Sequence, residues 1–251
     1  MDPIGRFQPE HRFGGSEYCE IFLCRDGDLR RDGDLRRDGD RRVVVKRFRI
    51  KRRELKRIAR KGDTGRAERW RQQFTDEANL AASFRHPNIV EVLENSVLPD
   101  GAPYFVMPYL PGNLATEIWG SPLPQKIGQP LEQARAVTVL RQLLLALAEI
   151  HARGVVHRDV KPQNVMFDGQ ENAVIIDFGH ARNPAADAPP LKKGFGTPPF
   201  ISPEQRHDPE AIDGRADIYS LGVMAYLMLT GLRPEQDSQP PDLVDPTIDT
   251  G

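Results

Sequence analysis

The chain has 251 residues, enough to bury a hydrophobic core without disulfides or metals as staples, and its 35 Lys and Arg against 36 Asp and Glu exclude a global field aimed at nucleic acid or membrane. Two cysteines, Cys19 and Cys24, are too few for a disulfide framework and point to a reducing compartment. Met1-Asp2-Pro3-Ile4 lacks a signal-peptide profile, and the apolar runs Leu143 to Ile150 and Val223 to Leu229 are too short to cross a bilayer, so a soluble, cytoplasmic protein is expected.

From Phe13 to about Val106 short apolar and polar runs alternate, which predicts strands and one long polar helical insert. A tandem repeat, Arg25 to Arg30, Arg31 to Arg36 and Arg37 to Asp40, lies between two of these strands. Its Asp-Gly pairs predict a solvated hairpin tip, and the flanking arginines argue against a calcium loop. Val43-Val44-Val45-Lys46 ends a β-branched run on a lysine that needs a counter-charge if buried. Between Arg41 and Arg71 fifteen Lys or Arg stand against three Asp or Glu. This patch reads first as a solvated helix face and second as a surface for acidic partners; nucleic acid is not an expected partner.

A helix from about Thr64 carries Trp70, Phe74, Ala81 and Phe84 on one stripe, with Glu77 inside it. Residues 131–155 predict a second helix, because Ala134, Val137, Leu140, Leu143, Leu144, Leu147 and Ile150 recur at helical spacing before His151, Arg153 and Gly154. Asn164 to Phe167 and Ala173 to Ile176 predict two strands joined by Asp168-Gly169. Ala216 to Thr230 is apolar on nearly all sides, the mark of a buried central helix, and the Pro- and Asp-rich tail after Gly231 is expected to be loose.

The chemistry concentrates in His157-Arg158-Asp159-Val160-Lys161-Pro162-Gln163-Asn164, followed by Asp177-Phe178-Gly179. Two carboxylates, a lysine and an amide a short loop apart can grip metal ions and a triphosphate and accept a proton from an attacking hydroxyl. The order H-R-D-x-K-x-x-N, then D-F-G, resembles the protein kinase superfamily. Val43 to Lys46 looks like its V-A-I-K strand, and His86-Pro87-Asn88-Ile89-Val90 matches its H-P-N-I-V segment. Gly196 to Glu204 resembles G-T-x-x-[YF]-x-[AS]-P-E. Lys161 and the Ser202-Pro203-Glu204-Gln205 ending are similar to bacterial-type members of the Ser/Thr branch.

The resemblance implies an α+β bilobal fold: an N-terminal extension 1–12, a small antiparallel-sheet lobe 13–110, a mainly helical and partial large lobe 111–236, and a tail 237–251. It implies a Ser/Thr protein kinase using ATP and Mg²⁺ on a protein hydroxyl. Asp159 would take the hydroxyl proton, Lys161 would meet the γ-phosphate, and Asn164 and Asp177 would bind the metal. Lys46, paired with Glu77, would orient the α and β phosphates, and Thr197 would seat the substrate against Asp159. Met107 would gate the adenine pocket, with the Pro108 carbonyl and the Leu110 N–H as its hydrogen-bonding groups. Gly14, Ser16, Tyr18 and Ile21 align with the glycine-rich loop, where Cys19 replaces the third glycine. Asp217 matches the aspartate that anchors the catalytic loop.

Between Gly179 and Gly196 there is no Ser, Thr or Tyr to phosphorylate, and Asp187 is a candidate for a fixed negative charge there. Kinases continue through further helices beyond the point where this chain ends; either the chain is a fragment or its large lobe is short, and in both cases Glu204 is expected to lack its arginine partner. The alternative reading is a pseudokinase that binds nucleotide or a partner protein without efficient catalysis. Its support is the eroded glycine loop, Ala81 and the short large lobe.

Overall fold

The computed structural model of the chain describes residues 1–27, 41–125, 127–182, 198–207, 212–234 and 238–248. The repeat beyond Gly27, Thr197 and Asp187 lie outside the described residues. The chain forms two compact units, Met1–Arg85 with Val90–Tyr109, and His86–Ile89 with Leu110–Gly251.

The first unit is a five-stranded antiparallel sheet in the order β1-β2-β3-β5-β4. Its strands are β1 (Phe7–Gly14), β2 (Cys19–Asp26), β3 (Arg42–Phe48), β4 (Glu94–Val97) and β5 (Pro103–Pro108). Side chains alternate across each strand, so the sheet has two distinct faces. One face gathers Ile4, Phe7, Phe22, Cys24, Val43, Val45, Tyr104 and Val106 into a core cluster. Burial raises the Cys24 thiol to about 12. Ile4 and Phe7 are fully buried, and β1 begins at Phe7. Of the residues assigned from sequence to an extension, 1–12, those from Phe7 on are therefore built into the sheet, and Ile4 packs in its core. Their alternation of Arg, Gln, Glu and His gave no apolar run to read as a strand.

The opposite face carries the helix α2 (Arg66–Ser83), preceded by a short polar helix α1 (Arg52–Lys61). Phe74 of α2 is fully buried between Phe48 and Phe105, with ring centroids 5.9 and 5.4 Å away.

The second unit contains β6 (Gly112–Asn113), β7 (Val165–Phe167) and β8 (Ala173–Ile175) in a small antiparallel sheet. Around it lie α3 (Leu114–Trp119), α4 (Gln133–Ala152), α5 (Pro203–His207), α6 (Arg215–Thr230) and α7 (Pro241–Val244). Asn113 caps α3 by accepting the Thr116 N–H. In α4 the buried row is Ala136, Val139, Leu143, Ala146, Leu147 and Ile150. Val137 and Leu144, expected inside, are 53% and 47% exposed. This helix is apolar on more than one side, so period alone cannot choose the buried face. The small Ala136 and Ala146 lie on that face. In α6 the core takes Ala216, Ser220, Leu221, Val223, Met224, Leu227 and Met228. Among the described residues no helix is long and apolar enough to cross a membrane.

Phe74→Ala removes the centre of the aromatic cluster between α2 and its sheet. It is expected to cost about 3–5 kcal/mol, read as a lowered denaturant midpoint.

Candidate active site

In the first unit, strand period decides where Lys46 points. Val43 and Val45 face the core cluster, so Lys46 takes the other face, beneath α2. It is buried, and its Nζ donates to Glu77 Oε1 at 2.5 Å. Glu77 is 5% exposed. A buried ammonium and a buried carboxylate each carry a large desolvation cost, so neither position tolerates loss of the other.

The turn between β1 and β2 is shaped by Gly15, which the glycine-rich motif did not mark. Its φ is +140°, and a Cβ there would fall 2.1 Å from the Cys19 carbonyl oxygen, so only glycine fits. Gly14 has open space around it. Ser16 Oγ accepts the Tyr18 N–H at 3.3 Å and lies 3.3 Å from Cys19 Sγ, closing the turn. The Tyr18 ring stacks on Trp70 of α2, with centroids 5.3 Å apart. Ile21 pairs with both Gly14 and Lys46. Met107 and Pro108 end β5 opposite Val44 and Val43. The neighbouring Tyr109 ring, half-buried, stacks on the exposed Phe13 at 6.5 Å and an interplanar angle of 7°.

In the second unit, a buried carboxylate organises the loop after α4. Asp217, fully buried on α6, accepts the His157 N–H at 2.8 Å, the Arg158 N–H at 2.7 Å and a bond from His151 Nε2 at 2.8 Å. These bonds fix Arg158 at φ +63°, a conformation that costs a non-glycine residue free energy and persists only where its surroundings over-determine it. Gln205 adds a fourth restraint by donating from Nε2 to the Arg158 carbonyl at 3.0 Å. The same Gln205 side chain accepts the Ser202 N–H, so α5 is tied to the loop. From sequence His151 read only as a helix end and Gln205 only as part of the Ser-Pro-Glu-Gln ending, and neither was given a place in the site. Their signal was a polar residue beside a motif, without a period.

The Arg158 guanidinium donates from Nε (2.8 Å) and Nη2 (2.5 Å) to the His180 carbonyl. Burial, with nearby Arg182 adding to it, lowers the Arg158 side chain to about 10. His157 is wholly buried; its Nδ1 accepts the Asp159 N–H and its Nε2 faces the Ile176 carbonyl at 3.3 Å, which selects the Nε2–H tautomer. Its ring meets Phe178 edge-on at 5.2 Å.

Asp159, Lys161 and Asn164 converge. Asp159 Oδ2 accepts from Lys161 Nζ at 2.7 Å and from Asn164 Nδ2 at 3.0 Å. Asn164 Nδ2 also donates to the Asp159 carbonyl at 2.8 Å. Two consequences follow. Asp159 keeps Oδ1 without a hydrogen-bond partner among the described residues. Asn164, with its nitrogen spent on Asp159, presents Oδ1 as its remaining group. The Ile176 N–H donates to the Asn164 carbonyl at 3.0 Å, coupling this loop to the strand end before Asp177. Asp177 sits at φ +67° and accepts the Gly179 N–H. Asn88 steadies β8 from the side: its Nδ2 donates to the Ala173 carbonyl, and its own carbonyl accepts the Ile175 N–H.

Among the described residues no three His, Cys, Asp or Glu side chains cluster as a metal cage. The donors on hand are hard oxygens, the Asp177 carboxylate and Asn164 Oδ1. This sparse set suits Mg²⁺, which favours one or two protein ligands together with phosphate oxygens and water.

Asp217→Asn replaces one acceptor with an amide N–H₂ facing a backbone N–H. A loss of about 2–4 kcal/mol is expected in denaturant unfolding, because a buried donor loses its partner. His180 gives a pH signature. Burial lowers its ring below the ordinary 6.5, against a smaller opposing pull from Asp159 and Asp177. The unfolded chain therefore binds a proton that the folded site resists, so this contribution is intact above 6.5 and is lost as pH falls below it. Urea midpoints at about pH 7.5 and about pH 5.5 should differ less for His180→Gln than for wild type.

A protein kinase domain family matches residues 38–250. The serine/threonine-protein kinase pkn3 of Myxococcus xanthus is 37% identical over 181 residues, covering 68% of this chain and 32% of its own length. Serine/threonine-protein kinase Pkn1 of the same organism is 39% identical over 172 residues, covering 66% and 23%. Serine/threonine-protein kinase PknB of Mycolicibacterium smegmatis is 34% identical over 180 residues, covering 69% and 28%. The chain thus matches about a third or less of the length of these curated relatives. With its loop motifs and the family match in agreement, the chain belongs to the protein kinase family and is of the bacterial serine/threonine type.

Proposed function

We propose that the protein transfers the γ-phosphate of ATP to Ser or Thr hydroxyls of a protein substrate, with Mg²⁺, in the cytoplasm. The observation that carries this reading is Asp159, a buried carboxylate with Oδ2 held by Lys161 and Asn164 and Oδ1 left to accept a proton. As the substrate oxygen bonds to the γ-phosphorus and the bond to ADP breaks, Asp159 takes the hydroxyl proton. Bound Mg²⁺ offsets the negative charge on the phosphate oxygens, and Asp177 with Asn164 Oδ1 holds it. Lys161, already at Asp159, is placed to neutralise charge on the transferring group. Lys46, oriented by Glu77, takes the α and β phosphates. Gly14, Ser16, Tyr18 and Ile21 cover the nucleotide, and Met107, the Pro108 carbonyl and the Leu110 N–H receive the adenine. Thr197 seats the substrate. A binding-only role would be favoured by loss of one of Lys46, Glu77, Asp159, Lys161, Asn164 or Asp177, and all six are present.

The test is phosphate transfer from radiolabelled ATP with Mg²⁺, to the protein itself and to a generic basic protein. Asp159→Asn is expected to lower the rate by at least about a hundredfold, the scale of general-base catalysis, with nucleotide-induced thermal stabilisation retained. An unchanged rate in this variant would remove Asp159 from the chemistry.

A further inference from the structure

The helix α1 has no role in the chemistry above, and its composition opposes its own stability. It places Arg52, Lys56 and Arg60 in one row and Arg53, Arg57 and Lys61 in a second, each at the i, i+4 spacing where like charges repel. All six side chains are exposed. At about 3.6 residues per turn the two rows cover roughly half the helix circumference. Arg53 and Arg57 lean on Glu54, at 3.8 and 3.5 Å. Among the described residues Arg52, Lys56, Arg60 and Lys61 have no carboxylate partner.

Packing does not explain this helix. Glu54 is its one buried residue, and Leu55, beside the first row, is 48% exposed. The helix is tethered at its start by backbone bonds from Arg49 and Lys51 to the Tyr18 and Glu17 carbonyls. The charge is local: the segment from Arg41 to Arg71 has fifteen basic and three acidic residues, leaving 20 basic against 33 acidic in the rest of the chain.

We propose that α1 is a docking surface for an extended acidic segment of a protein, which on the kinase reading belongs to the substrate. The geometry matches this occupant. Successive cations in a row rise by about 6 Å. Alternate side chains of an extended peptide recur at roughly 6.6 Å, so acidic residues at every second position meet one row. Leu55 selects between polyanions. An apolar residue in the peptide can cover it, whereas a phosphate backbone gains nothing there. A lipid surface needs a wider apolar face than one leucine supplies.

The experiment is fluorescence anisotropy with a labelled peptide of alternating glutamates around a central leucine. It needs no ATP and no turnover, so Asp159→Asn should bind like wild type whatever becomes of the catalytic reading. Arg52→Gln/Lys56→Gln/Arg60→Gln is expected to weaken binding by about tenfold, three exposed pairs at a few tenths of a kcal/mol or more each. Arg52→Lys/Arg60→Lys, which keeps the charge, should retain it. Leu55→Ser should weaken the peptide and leave any binding of a DNA duplex unchanged. In turnover, the same acidic segment appended to a serine peptide should lower KM for wild type and not for the triple variant, with kcat unmoved. Equal peptide binding by wild type and triple variant overturns the proposal. So does tighter binding of a DNA duplex, or of phosphatidylserine vesicles, than of the peptide.

Discussion

Three hydrogen bonds converge on the carboxylate of Asp217, and the geometry of the catalytic loop depends on them. A fully buried anion is costly unless it is hydrogen-bonded. Here two backbone N–H groups and a histidine nitrogen satisfy both oxygens, two bonds to Oδ2 and one to Oδ1. The return is a left-handed turn at Arg158 that no local preference would produce. That turn sets the course of the chain into Asp159, and Asp159 in turn holds Lys161 and Asn164. A structural carboxylate on a central helix thus fixes the position of a second carboxylate, the one proposed as the general base.

The first unit solves a similar problem differently. Its sheet buries both faces at β3, so consecutive residues Val45 and Lys46 are both inside, the valine in an apolar cluster and the lysine against Glu77. The aromatic cluster of Phe48, Phe74 and Phe105 seats α2 and thereby sets the height at which Glu77 meets Lys46. Hydrophobic packing, which is not directional, is here the means of placing a directional ion pair.

Much of this was readable from residues because the signals were periodic or because they conflicted with their surroundings. Glu77 stood out as a carboxylate in an apolar stripe, and Lys46 as a cation ending a β-branched run. The helices α2, α4 and α6 followed from spacing. The inward face of α4 did not, because Val137, Leu140, Leu144 and Leu145 make its outer side as apolar as its inner one. β1 escaped notice because its residues are mostly polar, and its burial rests on Ile4 and Phe7 at one end. Gly15, His151 and Gln205 were out of reach for another reason. Gly15 acts through a close backbone approach across a tight turn, Gln205 through the distant Arg158 carbonyl and His151 through the distant Asp217 carboxylate, and one chain carries no pattern that marks such contacts.

Arg158 spends its guanidinium on a backbone carbonyl, that of His180, and the stretch from Gly179 to Gly196 offers no hydroxyl on which a phosphate could be written. A kinase loop that can be phosphorylated is a memory: it records that an upstream enzyme has acted and holds the record until a phosphatase erases it. This stretch stores no such record. With its guanidinium held by the carbonyl of His180, Arg158 is committed to fixing the course of its own loop rather than to reading a phosphate written there.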